Sequence, residues 1–468
     1  MKPYVLSLLM VFASFNYAYA IDDHVYIPEH VEKKILENPL KEQQTTVEVT
    51  SKEIASNPDL IVRAMLYALI NNNIDDIVFL YPYYEALPPE AKEPVVHSWA
   101  RGVYGVYSNK VHEGISDLRE VISQRPDIVQ ARIQLAMALY LDNQYIASKD
   151  QFQKLKGEGG ENSGLVQLSD TFIERIENKS DFEFTLNARY IVDDNLNQAP
   201  ENPDLGGGWK AEPAKSDRGL GLSVNIAKRF VIADNFFADI NLNSNGKFYK
   251  KYGRQNELNN RLSLTIGHSE AKWSLFTGPI FGLDLNGQNQ EQKKLDKYSR
   301  SLGMSINGNY WLTKNIRSFA YVEHSRLYHT QRKHLNGRQS FASLGLSYFP
   351  NARHNIYLLA DFLRYKAKFK DDSYVRKGLR LGLIKEWNGG LSTQLEASKH
   401  LKTFDGIGFF NKVQTNHDYE LGVTIWHRNL HFAGLTPRIN YTYHKTKSNV
   451  ALYAYNKHNV YFSVSKSF

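Results

Sequence analysis

Asn459-Val-Tyr-Phe-Ser-Val-Ser-Lys-Ser-Phe468 puts Val460, Phe462, Val464 and Phe468 on one side of an extended chain, and Asn459, Tyr461, Ser463, Ser465 and Ser467 on the other. Alternation with a period of two marks a strand with one apolar and one polar face. A soluble sandwich can also end this way, so these ten residues alone leave the architecture open. The residues that precede them decide it.

Working backward, the same alternation persists to Phe182. Phe182, Phe184, Leu186, Ala188 and Tyr190 oppose Glu183, Thr185, Asn187 and Arg189; Leu220, Leu222, Val224 and Ile226 enclose Gly221, Ser223 and Asn225. Further strands are expected around Ile240, Leu264, Leu275, Met304, Ala320, Leu344, Leu358, Leu381, Leu395, Val423, Ile439 and Val464, fourteen in all. Long polar connections near 193–217, 249–256, 286–297, 328–338, 366–374, 402–416 and 445–454 alternate with short ones near 231–234, 268–272, 312–315, 350–353, 387–390 and 427–434. Short turns on one side, long loops on the other and an even strand number are the arrangement of an outer-membrane barrel, and a terminal aromatic strand suits its closure. Trp273, Tyr310, Trp311, Tyr348, Trp387 and Trp426 lie near strand ends, where an interfacial aromatic girdle belongs. The reading is a 14-stranded antiparallel transmembrane β-barrel over 181–468. A large soluble β-sandwich is the alternative.

Glu183, Arg189, Asp239, Asp361, Arg380, Lys385 and Glu396 are expected to face inward as solvated lining. His268, His324, His400, His417 and His427 scatter over strand ends without ligand spacing. No catalytic, cofactor-binding or metal-ligating constellation is expected, so an enzyme is not.

At the other end, Lys2, an apolar run from Val5 to Phe12 and Ala18-Tyr19-Ala20 read as a secretory signal over 1–20, followed by a polar, flexible segment over 21–57. The chain has no cysteine, which removes disulfides, thiolate metal sites and thiol catalysis. A mean hydropathy of −0.46 and the lack of long apolar runs argue against helical spans, whereas alternation hides a barrel from such averages. Charge is uneven: residues 21–180 carry 16 Lys and Arg against 25 Asp and Glu, whereas 181–468 carry 40 against 24. A basic barrel lumen, or basic loops near anionic lipopolysaccharide of the outer-membrane lipid, fits an exported chain better than nucleic acid, which is not an expected partner.

Residues 58–180 read as helices, with apolar positions at spacings of three and four. A shift of 34 places aligns Gly102 with Ala136, Gly114 with Ser148, Leu118 with Phe152 and Val121 with Leu155, with Pro126 where a unit should end; a third unit around Ala68 and Tyr84 is fainter. This resembles the tetratricopeptide repeat (TPR), with simple α-hairpins as the alternative. In that register the inner face carries Trp99, Val103 and Tyr107, then Ile133, Met137 and Tyr140. These six are the candidate client-binding residues, because repeat arrays hold extended partners on that face. Packing against a neighbouring helix is the competing role.

A signal segment, a degenerate helical repeat at 95–160 and barrel strands from Phe182 to Phe468, in this order, resemble the surface lipoprotein assembly modulator (Slam) family, the type XI secretion system. The resemblance implies an outer-membrane translocator with its helical domain in the periplasm. Its client protein would be a surface lipoprotein or a secreted haem- or iron-binding protein; periplasmic chaperones and the barrel-assembly machinery are further implied partners. A porin or a polysaccharide-export barrel with a periplasmic docking domain is the alternative.

Overall fold

The computed structural model describes residues 57–158, 163–206, 208–287, 294–351, 353–430 and 435–467. The expected signal segment, most of the expected flexible stretch and Phe468 lie outside these residues.

Among the described residues, seven helices come first: α1 Pro58–Ile70, α2 Ile74–Glu85, α3 Pro94–Tyr107, α4 Val111–Gln124, α5 Val129–Leu141, α6 Tyr145–Glu158 and α7 Ser163–Asn178. Their starts follow local rules. Asn57 accepts the Leu60 N–H at 3.2 Å and Glu93 the Val96 N–H at 3.0 Å, each followed by a proline at the first helical position. The first six helices form three hairpins, each turning through a left-handed asparagine: Asn72 (φ 52°), Asn109 (φ 66°) and Asn143 (φ 59°). Asparagine tolerates that conformation better than any other residue with a side chain.

Packing explains why two units were easy to read and one was not. In α3–α4, a Cβ on Gly114 would lie 2.5 Å from the Gly102 carbonyl oxygen, so only glycine permits this approach. In α5–α6 the equivalent pair is Ala136 and Ser148, whose hydroxyl donates to the Ala136 carbonyl at 2.8 Å. In α1–α2 the equivalents are Met65 and Ile77, both fully buried, and the shift is 37 rather than 34. The extra length lies in the α2–α3 connection, which contains a 3₁₀ turn at Pro89–Ala91. Phe152 stacks on Phe172 at 4.7 Å, joining α7 to the end of the array.

The strands are β1 Phe182–Asp193, β2 Asp204–Gly206, β3 Trp209–Lys210, β4 Asp217–Ala233, β5 Phe236–Tyr249, β6 Glu257–Ser269, β7 Trp273–Gly287, β8 Leu295–Thr313, β9 Ile316–His329, β10 Gly337–Asn351, β11 His354–Ala367, β12 Tyr374–Glu386, β13 Leu391–Ile407, β14 Val413–His427, β15 Thr436–Ser448 and β16 Tyr455–Ser467. β1 and β4–β16 form a closed antiparallel barrel of fourteen strands, with β1 sealed to β16 in a register that pairs Ala188 with Val464. Every expected strand centre falls inside an observed strand. Leu264, Met304, Leu344, Leu381, Leu421 and Phe462 are exposed on the outer face, a surface that belongs against lipid.

Three expectations need correction. Lys385 shares the outward face with Leu379 and Leu381, not the lumen, and its ammonium lies 3.7 Å from the Trp387 ring centre. Trp311 and Trp426 turn inward, against Phe349 and Arg438 respectively, leaving Trp273, Tyr310, Tyr348 and Trp387 on the outer girdle. The long connection at 402–416 shrinks to 408–412, because β13 continues to Ile407 and pairs with Val413.

The first long connection is tied down on both sides of the β1–β16 seam, to β1 and β5 and to the β13–β16 rim. Leu196 packs with Ile191 and Tyr249, Asn195 donates to the Asn456 carbonyl at 3.1 Å, Glu201 pairs with Lys445 at 3.3 Å, and Trp209 meets Phe409 edge-on.

Candidate functional site

Of the six inner-face residues, five are buried: Trp99, Val103, Ile133, Met137 and Tyr140. Trp99 and Val103 belong to the core between α1 and α5. The Trp99 indole N–H donates to Gln134, whose amide reaches Asn72 at 2.9 Å, so this tryptophan links α3 to α5 and to the first turn. Tyr140 contacts Phe172 edge-on at 5.3 Å and Tyr145 at 5.7 Å. Tyr107 is half-buried, and desolvation pushes its phenol up to about 12.

With the shift of 37, the inner face continues onto α1 as Val62, Leu66 and Ile70. Leu66 is 37% exposed, Ile70 48% and their neighbour Tyr67 58%. A constant shift of 34 does not reach this surface, because the longer α2–α3 connection lengthens the unit.

A second feature was not legible at all. The α5–α6 turn is seated on the short-turn end of the barrel, between the β4–β5 turn (Asp234 and Asn235) and the β6–β7 turn (Glu270 to Lys272). The first amides of α6 point at the barrel: Ile146 and Ala147 donate to Asp234 Oδ1 at 2.8 and 3.1 Å. A carboxylate of one domain thereby caps a helix of the other, meeting both the unsatisfied N–H groups and the positive end of the helix dipole. In return, Asp142 Oδ1 accepts the Ala271 N–H at 3.1 Å, while its other oxygen accepts from Gln144 at 2.8 Å. Burial pushes the Asp142 carboxyl above its ordinary range, and these two hydrogen bonds oppose the rise. Asn143 and Asn235, both left-handed, face one another. The Asn235 N–H donates to the Asn143 carbonyl, its side-chain amide donates to the Asp142 carbonyl, and Asn143 Nδ2 reaches Ser269 Oγ at 3.2 Å. Tyr145 then packs edge-on against Phe237, a fully buried, lumen-facing residue.

Above this joint the lumen is lined by ion pairs between strands. Arg229 makes a two-pronged bond to Asp239 (2.8 and 2.7 Å) beside Phe237 and Phe276. Farther along, Arg261 and Tyr321 both reach Glu323 at 2.8 Å, Arg376 and His400 flank Asp361, and Tyr357 crosses Gly382 to donate to Glu396. Glu183, Arg189, Asp239, Asp361, Arg380 and Glu396 therefore face inward as expected, and three of their carboxylates brace the wall instead of standing only in solvent.

A lipid-facing closed barrel, with an array of helical hairpins fixed to its short-turn end, defines an outer-membrane protein with a periplasmic helical domain. Known proteins agree with this class. The sequence model of the family "Surface lipoprotein assembly modifier" matches residues 182–468, and that of the family's N-terminal TPR repeats matches 47–152. A surface lipoprotein assembly modifier of Pasteurella multocida is 31% identical over 440 residues, covering 90% of this chain and 86% of its own. Surface lipoprotein assembly modifier 1 of Haemophilus influenzae is 31% identical over 424 residues, covering 90% and 87%. The hemophilin secretion modulator of Acinetobacter baumannii is 21% identical over 458 residues, covering 91% and 90%. The chain belongs to the surface lipoprotein assembly modifier family.

Proposed function

We propose that this protein moves client proteins, surface lipoproteins or secreted haem- or iron-acquisition proteins, across the outer membrane. The observation that carries the reading is the joint. It holds the helical domain against the short-turn mouth of the barrel through six hydrogen bonds and an aromatic contact, so a client gathered by the helices is already beside the lumen. At about 1 kcal/mol net for each bond, the joint is strong enough to persist without a ligand. Periplasmic chaperones would deliver the client and the barrel-assembly machinery would insert the translocator. Folding of the client outside, which buries apolar surface, would supply direction without a nucleotide.

The client-contact surface in this reading is the inner face of the array. Leu66 and Ile70 are its open part, with the exposed Tyr67 beside them. Trp99, Val103, Tyr107, Ile133, Met137 and Tyr140 form its continuation, which a client would reach by displacing what covers the buried five. The test is surface proteolysis of intact cells, read by mass spectrometry, with the wild type, a deletion, and Leu66→Asp with Ile70→Asp. Loss of specific proteins from the surface in the deletion, with several-fold loss in the double variant at an unchanged barrel level, supports the reading. An unchanged surface proteome in the deletion contradicts it and favours a porin.

A further inference from the structure

Near the long-loop end of the barrel, three cations stand side by side on the outward face. Arg338 of β10 pairs directly with Arg326 of β9 on one flank and with Lys366 of β11 on the other. All three are exposed, and they share their strands' outward faces with Val322, Leu344 and Leu358. Like charges directly opposite across a ladder are unfavourable, and no carboxylate stands on the outward faces of β9, β10 or β11 to relieve them. Arg364, one step nearer the membrane centre, shows the contrast: it is neutralised by both oxygens of Asp405, whose charge reaches Lys366 only at longer range, without pairing with it. Among the described residues, Arg326, Arg338 and Lys366 make no ion pair. On the neighbouring strand the outward Arg300 extends the row and lies 5.4 Å from the Tyr328 ring centre.

The height of the row says what it meets. From Tyr348 in the girdle at the short-turn end to Arg338 is ten residues along β10, passing Leu346, Leu344 and Ala342 on the same face. At ~3.4 Å per residue and a typical strand tilt, that is a rise of roughly 25 Å, the height of the apolar band of such barrels. The cations therefore lie where the acyl region ends and the headgroups of the outer leaflet begin. Guanidinium groups match phosphate oxygens in pairs, and a lysine adds a point charge.

We propose that Arg326, Arg338 and Lys366 form a binding site for the phosphate groups of a phosphorylated glycolipid of the outer leaflet, with its acyl chains lying along Val322, Leu344 and Phe362. The bound phosphates replace repulsion within the row by shared hydrogen bonds and hold this side of the barrel at a fixed depth.

The test uses the full chain in neutral detergent, with native mass spectrometry of bound bisphosphorylated lipid A. Dephosphorylated lipid A is expected to bind the wild type at least about tenfold more weakly, in keeping with loss of charge-assisted bonds. R326Q with R338Q and K366Q is expected to weaken lipid A to the same extent. K250Q with K251Q and R254Q, which removes as much charge from the β5–β6 loop, is expected to leave it unchanged. Equal binding of the two lipids by the wild type overturns the proposal, even where the triple variant fails to insert. Equal loss in both triple variants overturns the site in favour of general charge attraction. Displacement of lipid A by millimolar inorganic phosphate would assign the site to free phosphate and overturn the lipid.

Discussion

The α3–α4 and α5–α6 turns have the same length and the same left-handed asparagine, yet only one meets the barrel. At the first, Asn109 and Lys110 are exposed and α4 begins with Val111. At the second, Asp142 and Gln144 are buried, α6 begins with Tyr145, and Asp234 of the barrel supplies the helix cap. The repeat dictates the turn; the residues around the asparagine dictate whether it docks. A translocator can thus take an ordinary hairpin array and fix its orientation by changing a few side chains at one turn.

The comparison can be broken most severely at Tyr145. Tyr145→Ala removes the ring that packs on Phe237 and is expected to weaken the joint by about 3 kcal/mol, read as lost hydrogen-exchange protection at the Ile146 and Ala147 amides. Val111→Ala at the undocked turn should cost less than about 1.5 kcal/mol by the same measurement, because Val111 is only half-buried. Gly114→Ala attacks the undocked hairpin from within: its new methyl meets the Gly102 carbonyl, so about 2 kcal/mol should be lost from α3–α4 with the joint protected as before. Asp234→Ala removes only the cap and should cost about 1 kcal/mol at α6.

Asp142 gives the smallest and most specific effect. A carboxyl whose pKa is raised on docking favours the docked state when protonated. The joint should therefore tighten as pH falls through the window just above the ordinary value of 3.8, and loosen as pH rises through it. Asp142→Asn keeps an oxygen for the Ala271 N–H and should flatten this dependence, with a change in protection below about 0.5 kcal/mol at neutral pH.

The barrel was legible because its signal is local: alternation assigns each strand whatever its neighbours do. The errors fall where neighbours intervene. Thr403 to Gly408 reads as loop, but Gly406 packs against the backbone of Asp371 in the adjoining connection, and β13 runs on. Lys385 is a different case: it stands five residues from the inward Arg380 on an unbroken strand, so alternation itself sends it outward, where it sits beside Trp387 at the membrane boundary. In the helices, spacing located the small residues of two units, while the longer α2–α3 connection hid the third and with it Leu66 and Ile70. The joint left no local trace. Asp234-Asn235 reads as any hairpin turn, and its partner lies 88 residues earlier in the chain.

The central claim is that a helical domain held at this joint feeds clients to the barrel. The absence of native cysteines permits a direct measurement. Cysteines placed at Asn143 and Ser269 can be bridged in living cells by a short bifunctional thiol reagent, and client display then read by surface proteolysis. Display at the wild-type level with the joint bridged, against periplasmic retention in the deletion, is the predicted result. Loss of display on bridging, with display normal before the reagent is added, would contradict a fixed joint and show that the helical domain must leave the barrel to deliver its client.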